Sequence, residues 1–215
     1  EAMIDKAYVE KSIGLAEAGL PPDLPIVEGL SSNKIRRLLH WLCKPDGTNY
    51  LEIGTHTGST FIPAIWGNPG AFGQCIDIWD QEHWALGNVK REDFETNLEK
   101  WLPDRQINIV EQDMFTVPMR ALVPGVNVYF FDGPHDRKAQ YQAFARYNPI
   151  FADRFVALVD DWNNIEPREE TRRAFTDLQY RVEAEWELPG LCQNNRDTER
   201  WWNGLYVAIV DKNLG

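Results

Sequence analysis

The sequence predicts an α/β fold: a mostly parallel seven-stranded sheet ending in an antiparallel pair, with helices on both faces and extra helices at the N-terminus. Three observations predict it. From Asn49 onward, short apolar runs alternate with helical patterns, as parallel strands joined by crossover helices require. Towards the C-terminus the alternation stops, leaving two strand candidates with no long helix between them, which suits an antiparallel pair. Finally, the strand Tyr50-Leu51-Glu52-Ile53 runs directly into the turn Gly54-Thr55-His56-Thr57-Gly58-Ser59-Thr60, which opens a helix. Strand, tight turn and helix in that order build a nucleotide pocket.

The elements follow in order. Residues 4–18 read as a first helix, stopped by Gly19-Leu20-Pro21-Pro22, a run that no helix continues through. A second begins at Ser31 or Ser32 and carries Ile35, Leu38, Leu39 and Leu42 at helical spacing; serine is a favoured N-cap. Residues 1–48 thus form a helical extension or lid, and residues 49–215 the main domain. Parallel strands are expected at 50–53, 74–78, 107–111, 126–131 and 155–159, with helices at 91–102, 138–147 and 168–178. The antiparallel pair falls at 180–188 and 205–211.

Composition narrows the function. With 215 residues, 43% of them apolar, the chain can bury one full α/β core. No apolar run is long enough to cross a bilayer and no secretory signal pattern is legible, so no membrane partner is expected. Cys43, Cys75 and Cys192 are odd in number and lie far apart, which argues against a disulfide scaffold or zinc site and suits a reducing cytoplasm. A formal net charge of −11 works against nucleic-acid binding, which relies on Lys and Arg against phosphate. A small-molecule acceptor is the better expectation.

In the turn after the first strand, Gly54 would permit the sharp bend and Gly58 a close ligand approach. A dinucleotide loop would carry G-x-G-x-x-G; the pattern here is E-x-G-x-x-x-G, from Glu52 to Gly58. It resembles the first motif of class I methyltransferases that use S-adenosylmethionine, whose fold is the Rossmann-like sheet just described. That resemblance implies cofactor contacts from Glu52, Gly54, Thr55, Gly58 and Ser59. The second strand ends Asp77-Ile78-Trp79-Asp80. Asp77, with Asp80 as runner-up, would take the ribose hydroxyls, and Trp79 would flank the adenine unless it is plain core. In the third strand's exit, the resemblance places Asp113 near the adenine amino group and Met114 against the ring. His56 sits where the family varies and is assigned no chemistry.

The fourth strand ends Phe131-Asp132-Gly133-Pro134-His135 and the fifth Val159-Asp160-Asp161-Trp162-Asn163. In the expected fold these ends are neighbours, so Asp132, Asp160 and Asp161 converge, with Asp132 also at the cofactor's edge. Two carboxylates about 4 Å apart repel by roughly 4 kcal/mol at an effective dielectric near 20. Three therefore need protons, cationic side chains or a metal, and an all-oxygen set favours Mg²⁺ or another hard divalent cation. The simpler alternative is that Asp160 or Asp161 caps the following helix. His135, with an ordinary pKa of about 6.5, could take a proton at neutral pH.

The same residues resemble the metal-dependent O-methyltransferases. Those of the catechol and caffeoyl-coenzyme A type carry Lys at the His135 offset and an Asp-Asn pair where this chain has Asp160-Asp161. The D-G-x-H run and paired acids are closer to the macrocin and mycinamicin sugar enzymes. The resemblance covers residues 49–161 and implies a metal-assisted O-methyltransferase of a sugar, polyketide or catechol-like hydroxyl, with His135 as the base. Alternatives are a Rossmann-type nucleotide or nucleotide-sugar oxidoreductase, against which the missing second glycine speaks, and a non-catalytic cofactor-binding module. The N-terminal helices and residues 192–202 are the expected acceptor walls, and the Trp-rich flanks would equally suit a homo-oligomer interface.

Overall fold

The computed structural model describes residues 4–79, 82–83, 87–190 and 200–212. Its sheet contains β1 (Asn49–Ile53), β2 (Phe72–Asp77), β3 (Ile107–Glu111), β4 (Val126–Phe131), β5 (Phe151–Val159), β6 (Arg181–Leu188) and β7 (Leu205–Asp211). Their spatial order is β3-β2-β1-β4-β5-β7-β6. The first five run parallel, while β7 pairs antiparallel with both β5 and β6. The helices are α1 (Lys6–Glu17), α2 (Asn33–Leu42), α3 (Phe61–Ile65), α4 (Arg91–Trp101), α5 (Arg137–Ala145) and α6 (Ile165–Asp177).

Period-two alternation splits the core into two layers. Along β4, Val128 and Phe130 pack with the α1–α4 side, beside Leu38, Phe61 and Phe94. Tyr129 and Phe131 pack with the α5–α6 side, beside Phe144 and Phe175. The sheet is therefore apolar on both faces, as a covered parallel sheet must be.

The expected elements all form, with boundaries moved for local reasons. Ser32 caps α2, its hydroxyl accepting from Ile35 N. Helix α5 stops at Ala145, just before the turn at Asn148–Ile150, where Pro149 stands. Strand β5 starts four residues earlier than its apolar run suggests. The helix after the glycine turn, α3, is only five residues long, and a two-residue ribbon, Glu82–His83 with Gly87–Asn88, was not legible in the sequence. Among the described residues, no helix is long and apolar enough to cross a membrane.

The register decides where chemistry can gather. Ile53 pairs with Phe131, and Phe131 with Val159. The ladder continues one residue beyond the strands: Asp132 N donates to Ile53 O at 2.9 Å and Asp160 N to Phe131 O at 3.0 Å. Strand order reverses between β1 and β4, where open α/β sheets hold their ligands.

Candidate active site

A cavity of about 760 Å³ opens over the carboxyl ends of β1 to β5, within the size range of small-molecule sites. On one side its wall is Gly54–His56, Asp77–Trp79 and Gln112–Phe115; on the other it is Asp132–His135, Asp160 and Asp161. Leu30, Trp202 and Asn203 line it as well. His56, Trp79, Asp161 and Trp202 all line this cavity and have φ between 44° and 55°. Such backbone is uncommon outside glycine and concentrates at functional sites.

Asp77 organises the first side. Its Oδ2 accepts from His56 N at 2.7 Å and its Oδ1 from Trp79 N at 2.9 Å. The acid thereby joins the turn after β1 to the turn after β2. Trp79 is buried, stacked on Phe94 with ring centroids 5.4 Å apart, and donates Nε1–H to His56 O at 2.7 Å. Behind the turn, the buried Arg36 guanidinium donates to Ser59 O (2.9 Å), Val27 O (3.2 Å) and Asn33 Oδ1 (3.1 Å). Burial lowers its pKa to about 10. No sequence pattern marked it.

Two expected cofactor contacts are placed elsewhere. Glu52 is fully buried on the α1–α4 side, beneath the turn, and does not line the cavity. It accepts from Tyr50 Oη–H and from Thr60 Oγ1–H, the latter at 2.9 Å, and burial pushes its pKa up to about 8. Strand alternation explains this: Glu52 shares a face with Tyr50 rather than with Ile53. Gly58, with φ +84°, faces the Phe94 ring, so its missing Cβ admits α4 rather than a ligand. Gly54, with φ +91°, lets β1 approach β4 so closely that a Cβ would lie 2.0 Å from Asp132 O. Thr55, Ser59, Asp77, Trp79, Asp113 and Met114 do line the cavity. Asp80 and Cys192 fall outside the described residues, as does most of the expected 192–202 wall; Trp202 lines the cavity.

On the second side Asp132, Asp160, Asp161 and His135 share one wall. His135 Nε2 lies 3.7 Å from Asp132 Oδ1 and 3.6 Å from Asp161 Oδ2. Asp136 starts α5 by accepting from Lys138 N and Ala139 N, which places His135 at the mouth of the helix. The fully buried Gln140, one turn into α5, donates Nε2–H to His135 Nδ1 at 3.2 Å. Asn203 and Asn164 donate to the two oxygens of Asp161 at 2.9 and 3.3 Å. Gln140 and Asn203 carry no sequence signal, since one is five residues from His135 and the other forty-two from Asp161.

The Asp132 and Asp160 carboxyls are hydrogen-bonded to each other. Burial, then the neighbouring acids, holds Asp132 well above the carboxylate range and Asp160 at about 8. Burial also lowers the His135 pKa, against the opposing charges of Asp161 and Asp136. The expected metal set is not assembled: among the described residues, no three His, Cys, Asp or Glu side chains are grouped so as to hold a metal ion. A cation would need oxygens at about 2.0–2.6 Å from one point; here Asp132 and Asp160 are bonded to each other and both Asp161 oxygens to asparagine amides.

No protein-family model matches the chain, and no curated protein matches its sequence. Solved structures match its fold. A protein from Streptococcus mutans, provisionally assigned as a SAM-dependent methyltransferase, aligns at 14% identity and TM-score 0.59 over 86% of this chain. The present chain spans about half of that protein, 49% of its length. An O-methyltransferase from Bacillus cereus, in complex with SAH, aligns at 13% identity and TM-score 0.57 over 98% of this chain and 93% of its own. A provisionally assigned RNA methyltransferase from Pyrococcus horikoshii aligns at 13% identity and TM-score 0.56 over 99% of this chain and all of its own. Identities this low show the fold alone. The chain has the Rossmann-like fold of S-adenosylmethionine-dependent methyltransferases. That fold is shared by neighbours named for different acceptors, so it leaves the acceptor undecided.

The first side of the cavity fits that cofactor by the chemistry of its donors and acceptors. Each Asp77 oxygen has one protein partner in the bonds above, and a carboxylate oxygen has a second lone pair for a ribose hydroxyl. Asp113 Oδ1 accepts from Phe115 N at 2.8 Å, leaving Oδ2 for an amino group. Ile53, Ile76 and Met114 supply apolar wall.

Proposed function

We propose that this protein is an S-adenosylmethionine-dependent O-methyltransferase that acts on a hydroxyl of a small molecule. One observation carries the reading: a single cavity joins an organised nucleoside side, built around Asp77, to an acid-and-histidine side built around Asp161 and His135. A pyrophosphate-binding oxidoreductase would need a glycine-rich cradle, which the 54–60 turn does not supply. A passive binding module would have no use for crowded carboxylates beside a histidine. The net charge of −11 favours a small acceptor over RNA.

When bound, S-adenosylmethionine supplies an electrophilic methyl group on a sulfonium. Asp77 would hold the ribose, Asp113 the adenine amino group, and Met114 the ring face. His135 is the group to receive the acceptor's proton, because burial keeps its imidazole neutral around pH 7. Gln140 sets which nitrogen does so. As placed, its amide donates to Nδ1, so Nε2 carries the proton. Its Oε1 has no partner, and a half-turn of the amide would let Oε1 accept from Nδ1–H and free Nε2 as the base. Asp161, fixed by two asparagines, stabilises the imidazolium that results. The enclosing walls hold the reactants in register and limit water.

Calorimetric titration with S-adenosylhomocysteine, with Mg²⁺ and then with chelator, tests the reading. Micromolar binding in both runs is expected. Binding in neither would overturn it, and methyl transfer abolished by chelator would restore the metal.

A further inference from the structure

We propose that residues 27–30 form a strap across the cofactor turn, and that Arg36 is the positioning residue that holds the strap down. This role rests on reading the cavity as a methyltransferase site, whose cofactor the 54–60 turn would hold. Strap and turn are distant in sequence but meet along their backbones. Thr57 Oγ1–H donates to Glu28 O at 2.5 Å. A Cβ on Gly29 would lie 2.4 Å from Ser59 Cβ, so the strap passes the turn more closely than any other residue would allow. Val27 is buried, while Ile26 just before it is 78% exposed; the chain is pinned from Val27 onward. Leu30, at the far end, lines the cavity together with Ser59 and Thr60.

Arg36 has the geometry of a latch. From α2 its Nε–H donates to Ser59 O and its Nη2–H to Val27 O, at 2.9 and 3.2 Å. One guanidinium thus grips the turn and the strap at once, and Asn33 Oδ1 accepts a third bond at 3.1 Å. All three partners are neutral, and the side chain is 6% exposed. Burying a cation among neutral acceptors costs free energy; an apolar side chain would pack in this place without that cost. What the charge brings is a rigid fork that meets two carbonyls in fixed directions.

Neither Arg36 nor Thr57 lines the cavity, so any effect they have on the cofactor passes through strap and turn. A docked strap steadies the turn and completes the wall at Leu30. The cofactor therefore binds the docked form better, and by reciprocity its binding favours docking.

Hydrogen exchange read by mass spectrometry on the full chain, with and without S-adenosylhomocysteine, tests this. In the parent, the ligand should slow exchange across residues 27–32 about fivefold or more. Exchange there should stay faster than in β4, as a local opening requires. Arg36→Lys keeps the charge but replaces the fork with a single nitrogen. It should speed exchange of the strap about tenfold and weaken S-adenosylhomocysteine binding, read by titration calorimetry, about tenfold as well. Thr57→Val removes the bond to Glu28 and should act in the same direction; it decides the matter if Arg36→Lys does not fold. A strap that ignores bound ligand, faster exchange with unaltered affinity, or one common rate for strap and β4 would each overturn the proposal. Absence of ligand binding by the parent would remove the methyltransferase reading itself, whereas intact binding with an unresponsive strap would remove the strap alone.

Discussion

Asn203 donates its Nδ2–H to Asp161 Oδ1 at 2.9 Å, tying the turn before β7 to the end of β5. Backbone bonds reinforce the tie: Trp162 N donates to Gly204 O at 3.1 Å and Asn163 N to Asn203 O at 2.9 Å. Asp161 is also held at φ +55°, a conformation that surrounding structure must enforce. The last strand of the chain therefore positions an acid of the candidate site.

Asn203→Leu removes one hydrogen bond to a charged group, worth about 1.5–3 kcal/mol. The expected result is a melting temperature lower by roughly 3–10 °C for a chain of this size. Affinity for S-adenosylhomocysteine should be unchanged, because the Asp77 side is untouched. Scanning calorimetry and titration calorimetry on one preparation check both; a parallel loss of cofactor affinity would mean that the two halves of the cavity are not independent.

The two glycines of the turn should respond differently. A Cβ on Gly54 would meet backbone, Asp132 O at 2.0 Å and Asp132 C at 2.5 Å. Neither strand can retreat without breaking the β1–β4 ladder, so Gly54→Ala should cost more than ~3 kcal/mol and abolish cofactor binding. On Gly58 it would meet side chains, Phe94 at 2.8 Å and Ile62 at 2.9 Å, which can shift. Gly58→Ala should cost about 1–3 kcal/mol and leave a folded, binding-competent protein. Urea unfolding curves of the two variants decide the order.

This contrast shows what the sequence disclosed. The strand-turn-helix pattern located the turn, and the acids at strand ends located both sides of the cavity, because parallel strands bring their carboxyl ends to one edge whatever their separation in the chain. Which way a strand-end side chain points was harder. Glu52 reads as a ligand residue from its motif, yet alternation turns it into the core with Tyr50, while Asp77, the last residue of β2, reaches the turn after β1. Residues that act by supporting others left no trace at all. Arg36, Gln140 and Asn203 are ordinary polar residues until the fold sets them against Ser59, His135 and Asp161.

Glu52 makes stability depend on pH. Burial raises its folded pKa from 4.5 to about 8, so between those values the folded state holds a proton that the unfolded state has released. Stability is then fully present below the unfolded pKa and falls as pH rises towards the folded one. The loss amounts to a few kcal/mol in order of magnitude, about 1.4 per unit. Glu52→Gln keeps an acceptor for Thr60 and cannot ionise. Its melting temperature should fall less steeply from about pH 5 to 8 than the parent's, the remaining slope belonging to Asp132 and Asp160, whose pKa values burial also raises; identical profiles would show that Glu52 contributes nothing to the parent's slope.

Gln140 and His135 supply the last prediction. In the neutral protein the His135 proton should reside on Nε2, since Nδ1 accepts from Gln140 and Nε2 faces two carboxyl groups. Nitrogen-15 NMR distinguishes the two ring nitrogens directly and needs no substrate. Gln140→Glu places a carboxylate against Nδ1, which must then keep its proton, so the tautomer reverses and Nε2 becomes the free base. The same charge opposes the effect of burial, which lowers the His135 pKa in the parent. His135 should therefore titrate at higher pH in the variant, and the acid limb of any turnover profile should move with it. Gln140→Leu removes a donor that only the unprotonated Nδ1 can accept from, so the preference for the Nε2–H tautomer should weaken. A reversed tautomer with an unmoved acid limb would remove His135 from the proton transfer and leave Asp161 as the base.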